Sequence, residues 1–325
     1  MVDGPTRATD ARPVVVALGE VDHALVAGIL GGHARFVGAP SPEDLAVAVG
    51  AIARADAVID REFLERAPCL RVIARTGVGV DRIDLAAASA KGIPVVVTPD
   101  SGTRAVAEGV LAMMLHLVKR LGPLTELVRE GRWDERARMS VGDLDGSTIG
   151  IVGYGRIGRR VGELATAFGM RVLAHDPLSP PPAEVACSDL GEMAASSEVL
   201  TLHVPLTGRT HHLVDAFVLA RVRPGAVLIN CGRGALVDLD AALAAVQSGR
   251  LAGVGLDVFD PEPPEHHPLF DHPNVVLTPH VMGLTRRATA ATFADAARGI
   301  VDALDGRPPA AVANPDWAGQ RPARR

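Results

Sequence analysis

Cysteine, lysine and long apolar runs are all scarce in this chain, and each scarcity excludes something. Three cysteines, Cys69, Cys187 and Cys231, with no C-x-x-C spacing, supply neither a disulfide framework nor a thiolate zinc site. A reducing cytoplasm is the compartment expected. Only Lys91 and Lys119 are lysines, a bias that, with the alanine richness, reflects codon usage rather than mechanism. The net charge of -5 leaves no concentrated basic face for a phosphate backbone, so no nucleic-acid partner is expected. The longest apolar run, Val110 to Val118, is too short to cross a bilayer and contains His116. The polar start "MVDGPTRATDARP" lacks the apolar core of a secretory signal, so no membrane partner is expected either.

What is present is the composition of a soluble globular protein: 325 residues, 48 % hydrophobic and 22 % charged, enough for about two domains. From Thr148 onward, short β-branched runs alternate with longer Ala/Leu-rich segments, the pattern of a doubly wound parallel sheet. Six strands are expected there: "TIGIV" (148–152), "RVLAH" (171–175), "EVLTLHV" (198–204), "AVLIN" (226–230), "GVGLDVF" (253–259) and "VVLTP" (275–279). Each is nearly continuous in apolar residues, as a strand covered on both faces requires. A second, smaller α/β unit is expected from residue 13 to about 100, with strands "PVVVALG", "AVGAIA", "RVIA" and "IPVVVT". The segment "RAVAEGVLAMMLHLVKRL" (104–121) reads as one long helix joining the two units. The final helical stretch, "RRATAATFADAARGIVDALDG", could pack on either unit.

One loop stands out. "GYGRIG", Gly153 to Gly158, follows the strand "TIGIV" and opens a helix whose apolar positions Val161, Leu164, Ala165 and Phe168 share a face. The next strand runs into Asp176, where a dinucleotide-binding unit carries a carboxylate for the ribose hydroxyls. Gly153 suits the tight turn, Gly155 the approach of a pyrophosphate, and Gly158 the close packing of helix and strand, while the helix N-terminus offers donors to phosphate. A plain strand-to-helix turn with Asp176 as turn initiator is the competing reading. Strand, loop, helix and acid in register favour the cofactor. The carboxylate would repel a 2'-phosphate, so NAD is expected rather than NADP.

Ligands of such sheets bind beyond the carboxyl ends of the strands. After "AVLIN" comes Arg233 between two glycines, after "GVGLDVF" comes Glu262 in "DPEPP", and after "VVLTP" comes His280. Taken singly, each is as well read as a surface cation, a loop carboxylate or a strand-end histidine. Together they suit hydride transfer to a 2-oxo acid: a guanidinium grips the carboxylate and polarises the carbonyl, a histidine moves the hydroxyl proton, and a carboxylate bonded to that histidine orients its ring. His203, at a strand end near the cofactor loop, reads as satisfying a backbone group rather than reacting. The cluster "PEHHPLFDHP", with Glu265, His266, His267, Asp271 and His272, has no recognised metal spacing, and no metal is expected.

These motifs, with "RTGVGVDRIDLAAASAKGIPVVVTP" (75–99), "VAEGVLAMML" (106–115), "LHVPLTGRT" (202–210), "INCGRGALVD" (229–238), "LDVFDPEPP" (256–264) and "TPHVMG" (278–283), resemble the D-isomer-specific 2-hydroxyacid dehydrogenases, and in particular their D-3-phosphoglycerate dehydrogenase-like branch. The resemblance implies a catalytic trio of Arg233, Glu262 and His280. It places the substrate carboxylate against the backbone of Val78 and Gly79, the nicotinamide amide near Asp257, and the cofactor among Gly153, Tyr154, Gly155, Arg156, Ile157, Gly158, Asp176, His203, Val204, Pro205, Thr210, Cys231, Gly232 and Gly283. Arg54 and Arg75 fall where that branch grips a distal phosphate, which makes 3-phosphoglycerate or another dianionic acid the implied substrate. Val97 and Gly102 stand where the family usually has asparagines.

The resemblance further implies a Rossmann NAD-binding domain (104–285), a discontinuous flavodoxin-like substrate domain (1–103 and 286–325), and a homodimer formed through the cofactor domain. A non-catalytic NAD-binding, corepressor-like protein on the same fold is the alternative left open.

Overall fold

The computed structural model describes residues 11–320; the amino-terminal stretch through Asp10 and the basic tail from Arg321 lie outside the described residues. The chain divides into two units, one made of the residues up to Gly102 together with those from Arg286 onward, the other running from Thr103 to Thr285.

The first unit is built on five parallel strands: β1 (Val14–Leu18), β2 (Arg35–Val37), β3 (Ala48–Ala53), β4 (Val72–Arg75) and β5 (Val95–Val96). Their order is β2-β1-β3-β4-β5, that of flavodoxin-like sheets. Alternation builds a core on each face, because successive side chains of a strand point to opposite sides. Val14 and Val16 enter one cluster, with Ile73, whereas Val15 enters the other, with Val72 and Ala74. The helix Arg286–Leu304 belongs here: Phe293, Ala296, Ala297 and Ile300 fill the second cluster. The chain then returns to the edge of β5, where buried Asn314 donates to the carbonyl of Ile93 (2.9 Å) and to Ser89 (3.0 Å) and accepts from the amide of Val95 (2.8 Å).

The second unit carries β6 (Thr148–Val152), β7 (Arg171–His175), β8 (Val199–Leu202), β9 (Ala226–Asn230), β10 (Leu251–Leu256) and β11 (Val275–Leu277), in the order β11-β10-β9-β8-β6-β7. This is the Rossmann order with the strand beyond β7 nearly lost and β11 added beyond β10. The outer position next to β7 is reduced to a single parallel bridge, Ala174 to Ala186, since the segment leading into it, "PLSPPPAE", is short of amide donors for a ladder. In β9, Val227 and Ile229 face one core and Leu228 the other.

Several expectations shift by a few residues, each for a local reason. The long helix packs into this unit's core through Val110, Met113, Met114 and Leu117. It spans Thr103–Val118 and breaks where Arg120 turns left-handed (φ 53°), before a second helix at Leu121–Arg129. Phe168 lies one residue past the helix Arg156–Ala167 and is 44 % exposed, so the apolar face stops at Ala165. β2 went unread in the sequence: it is three residues long and only half-buried.

The three bonds of Asn314 tie the returning chain to β5 and to the helix and turn that precede it. Asn314→Ala strands a buried amide and a buried carbonyl. A loss of roughly 2–3 kcal/mol in urea unfolding is expected, and a change under about 0.5 kcal/mol would show that the edge closes without it.

Candidate active site

All the residues expected to hold a dinucleotide lie at the carboxyl edge of the second unit's sheet. Gly153 follows β6 with φ +93°, and a Cβ there would meet the carbonyl carbon of His203 at 2.7 Å. A Cβ on Gly158 would meet the carbonyl oxygen of Gly153 at 2.0 Å, so no larger residue lets helix and turn close. At Gly155, by contrast, a Cβ would meet nothing within 4 Å. That open side faces the first turn of Arg156–Ala167, whose amides have no side-chain cap and no acceptor within the helix. An uncapped helix N-terminus beside open space is what a pyrophosphate needs.

Asp176, just past β7, accepts from the amides of Tyr154 (2.8 Å), Leu178 (2.9 Å) and Ser179 (2.9 Å). Its carboxylate thus ties the glycine loop to the turn after the next strand. Val204, Pro205 and Thr210 form one turn after β8, with the Thr210 hydroxyl donating to the Pro205 carbonyl (2.7 Å). The reading of His203 needs correction. Its Nε2 pairs with the side chain of buried Thr201 (3.0 Å), not with backbone, and its Nδ1 is buried with no hydrogen-bond partner among the described residues. Burial pushes its pKa down to about 4, so the ring is neutral at working pH. Burial, and next the charge of Asp257, push the Cys231 thiol up to about 12; it is a packing group here, not a nucleophile.

The three loops after β9, β10 and β11 carry Arg233, Glu262 and His280. Arg233 has extended backbone and donates from Nη1 to the carbonyl of Gly232 (2.8 Å). Glu262 accepts from the amide of Phe259 (3.0 Å) and reaches Nδ1 of His280 with both oxygens, at 3.1 and 2.9 Å. That pairing fixes the ring and leaves Nε2 as the nitrogen able to exchange a proton with a ligand. Both side chains stay partly open to solvent, 36 % for Glu262 and 46 % for His280.

Asp257 does something the sequence did not disclose. It is 2 % exposed, and both its oxygens are taken by the turn that presents His280: Thr278 Oγ1 (2.6 Å) and the amides of Val281 (2.9 Å) and Met282 (3.1 Å). His280 itself sits at φ 53°, a region an L residue occupies only when its surroundings hold it there. Gly283 follows directly in the same turn. Asn230 was likewise missed, although a polar residue closing an apolar strand was the available signal.

In the first unit, Arg75 ends β4 and Arg54 lies one residue past the end of the neighbouring β3, yet they differ. Arg75 is spent on its own loop: its guanidinium donates to the carbonyls of Thr76 and Gly79. Arg54 lays its guanidinium over the ring of Phe293 (5.5 Å) and has no side-chain hydrogen-bond partner among the described residues. The loop Val78–Gly79 is exposed at Val78.

Two of the three histidines of "PEHHPLFDHP" pair singly with carboxylates, His266 with Asp271 and His267 with Asp240, and His272 accepts from the amide of Asn274; among the described residues no group of three could hold a metal. A cavity of about 570 Å³ opens at the opposite, amino-terminal edge of the sheet, between His116, Arg120, Glu198 and Asn274. None of the candidate substrate, cofactor or catalytic residues lines it; the cofactor and catalytic residues converge at the other edge. No helix among the described residues is long and apolar enough to cross a membrane.

Residues 111–282 match the family model of the D-isomer specific 2-hydroxyacid dehydrogenase NAD binding domain. Among curated proteins, the chain is 38 % identical over 262 residues to a D-3-phosphoglycerate dehydrogenase of Methanocaldococcus jannaschii, covering 78 % of this chain and 49 % of that protein. The chain spans about half the length of the curated relatives it matches. Among solved structures it is similar to the D-lactate dehydrogenase of Aquifex aeolicus complexed with NAD and lactic acid (TM-score 0.80, 29 % identity, 90 % of this chain and 96 % of that one). It is also similar to an NADPH-dependent glyoxylate/hydroxypyruvate reductase of Sinorhizobium meliloti in complex with NADP and malonate (TM-score 0.83, 28 % identity, 97 % and 100 %). The chain therefore belongs to the D-isomer specific 2-hydroxyacid dehydrogenase family and carries that family's NAD-binding domain.

Proposed function

We propose that the chain is an NAD-dependent dehydrogenase that interconverts a D-2-hydroxy acid and its 2-oxo acid. The observation that carries this reading is the hydrogen-bonded pair Glu262–His280 on loops adjoining the one that bears Arg233, at the carboxyl edge of an NAD-binding sheet. When bound, NADH would supply the hydride to C2 of the substrate. It would be held by the open glycine loop, the uncapped helix start at Arg156, and Asp176.

The chain's own residues do the rest. Arg233 grips the substrate carboxylate and draws electron density from the C2 carbonyl. His280, held by Glu262 through Nδ1, gives a proton from Nε2 to the oxygen at C2 during reduction and takes it back during oxidation. In the first unit, the backbone of Val78 and Gly79 is proposed as a carboxylate-binding loop, on the strength of the family resemblance. Arg75, by bracing that loop, supports the grip rather than reaching the far end of the substrate. Arg54, stacked but not hydrogen-bonded through its side chain, is the cation available to a distal anion, which makes 3-phosphoglycerate or another dianionic acid the specific substrate class proposed. The first unit, with the helix from Arg286, is then the substrate domain.

We also propose a homodimer through the NAD-binding domain. Leu121, Val128, Trp133 and Val141 are all more than 40 % exposed in the segment beside the amino-edge cavity, a concentration of apolar surface that favours association.

Three measurements test these readings. NADH oxidation at 340 nm should proceed with a 2-oxo acid, fastest with phosphorylated or phosphono acids. His280→Ala should cut kcat by roughly 10²–10⁴-fold, and Arg233→Ala should abolish turnover with NADH still bound. Unchanged kcat/KM in the arginine variant would remove its role, and absence of turnover on any 2-oxo acid would remove the activity. NADH should outperform NADPH, because Asp176 repels a 2'-phosphate; equal efficiencies would count against that assignment. Light scattering should give the mass of two chains, falling to one in Trp133→Asp, whereas a single-chain mass for the unmodified protein would exclude the dimer.

A further inference from the structure

Asn230 is the last residue of β9, and its side chain is wholly buried (0 % exposed). A buried carboxamide costs stability unless both its ends are bonded. Here both are. Oδ1 accepts from the amide of Gly232 (3.0 Å), and Nδ2 donates to the carbonyl of Arg233 (2.8 Å).

Those two bonds seize the peptide groups on either side of the Gly232–Arg233 link. They fix the extended backbone of Arg233 (φ -140°, ψ 143°), and with it the direction in which its side chain leaves. The Gly232 carbonyl, set by the same anchoring, then receives Nη1 of Arg233.

The turn is held from its other side as well. A Cβ on Gly234 would lie 2.0 Å from the carbonyl carbon of Phe259 and 2.3 Å from its oxygen, and the amide of Phe259 donates to Glu262. The backbone carbonyl of Asn230 accepts from the amide of Asp257, whose carboxylate holds the His280 turn. One strand-end amide therefore sits where the arginine loop, the glutamate loop and the histidine turn meet.

We propose that Asn230 is a positioning residue for substrate binding: its carboxamide sets the backbone that aims the Arg233 guanidinium at the 2-oxo acid carboxylate. The inference rests on the reading of Arg233 as the carboxylate-binding residue. A residue that merely closed the strand end would, on substitution, weaken stability and both ligands together. A positioning residue is expected to spare the cofactor and lose the acid.

The test compares the full-length unmodified chain, Asn230→Ala and Arg233→Ala. NADH affinity is read by fluorescence, the affinity of the binary NADH complex for oxamate by titration, and kcat and KM with the best 2-oxo acid. Asn230→Ala should leave NADH affinity within about twofold while weakening oxamate, and raising KM, by roughly ten- to fiftyfold, the scale of one misdirected contact to a charged group. Less than a twofold loss of oxamate affinity, or equal losses for NADH and oxamate, would overturn the proposal. If Asn230→Ala does not fold, Asn230→Asp, which has the same volume and keeps the Gly232 bond but not the donor to Arg233, is judged by the same criteria. Retained oxamate binding in Arg233→Ala would instead strike the reading of Arg233 itself, which separates the two failures.

Discussion

The site hangs on one buried charge. Asp257 is out of water, and an unpaired carboxylate there would cost several kcal/mol. Three donors offset that cost, and all three come from the turn Thr278–Met282. The turn is consequently not free to relax, and His280 is held in a left-handed conformation it would not choose alone. The bonds that satisfy the buried end of β10 are therefore the same bonds that hold the histidine turn. Glu262 then finishes the arrangement from the loop that leaves the same strand.

Parallel topology explains why these groups meet at all. Strands that all run one way deliver all their carboxyl ends to one edge, and the order β11-β10-β9-β8-β6 puts the loops of His280, Glu262 and Arg233, the turn of Val204 and the glycine loop side by side. The same edge gathers the buried polar residues, Asn230, Asp257 and Thr201, on strands that are otherwise apolar. Asn230 and Asp257 are held there by loop amides, a loop carbonyl and a threonine hydroxyl, and in being bonded they fix the loops, whereas Thr201 pairs with the ring of His203.

The sequence made much of this legible. Continuous apolar runs gave the six strands of the second unit within a few residues, since a doubly covered strand has no polar face to confuse the period. The glycine loop was readable because backbone geometry restricts the residue type at Gly153 and Gly158. β2 was not readable, being a three-residue, half-buried edge strand, and neither was the helix break, which depends on Arg120 adopting a left-handed turn. His203 was misread for a related reason: the sequence places the residue at a strand end but does not say that Thr201, two residues back on the same edge, takes its ring nitrogen. Asn230 and Asp257 were visible as polar ends of apolar strands, but their partners lie in loops whose paths no local pattern encodes.

Arg54 and Arg75 show where such reading stops, and why. Both are arginines, both stand at the ends of parallel strands, and the register sets Arg75 beside Ala53, the neighbour of Arg54. By residue type and spacing they are equivalent candidates for a ligand anion. What separates them is satisfaction. A guanidinium has five donors in a fixed plane, and the tight loop after β4, with Gly77 at φ +134°, turns the carbonyls of Thr76 and Gly79 back onto Arg75. Among the described residues the chain after β3 offers Arg54 no such carbonyls; its guanidinium lies over the face of Phe293, which steadies a cation without using its donors. Two like charges at one sheet edge thus end up differently held, one bonded to the carbonyls of the loop after β4 and the other stacked on an aromatic face, and the difference is made by the curvature of the loops beside them rather than by the residues themselves.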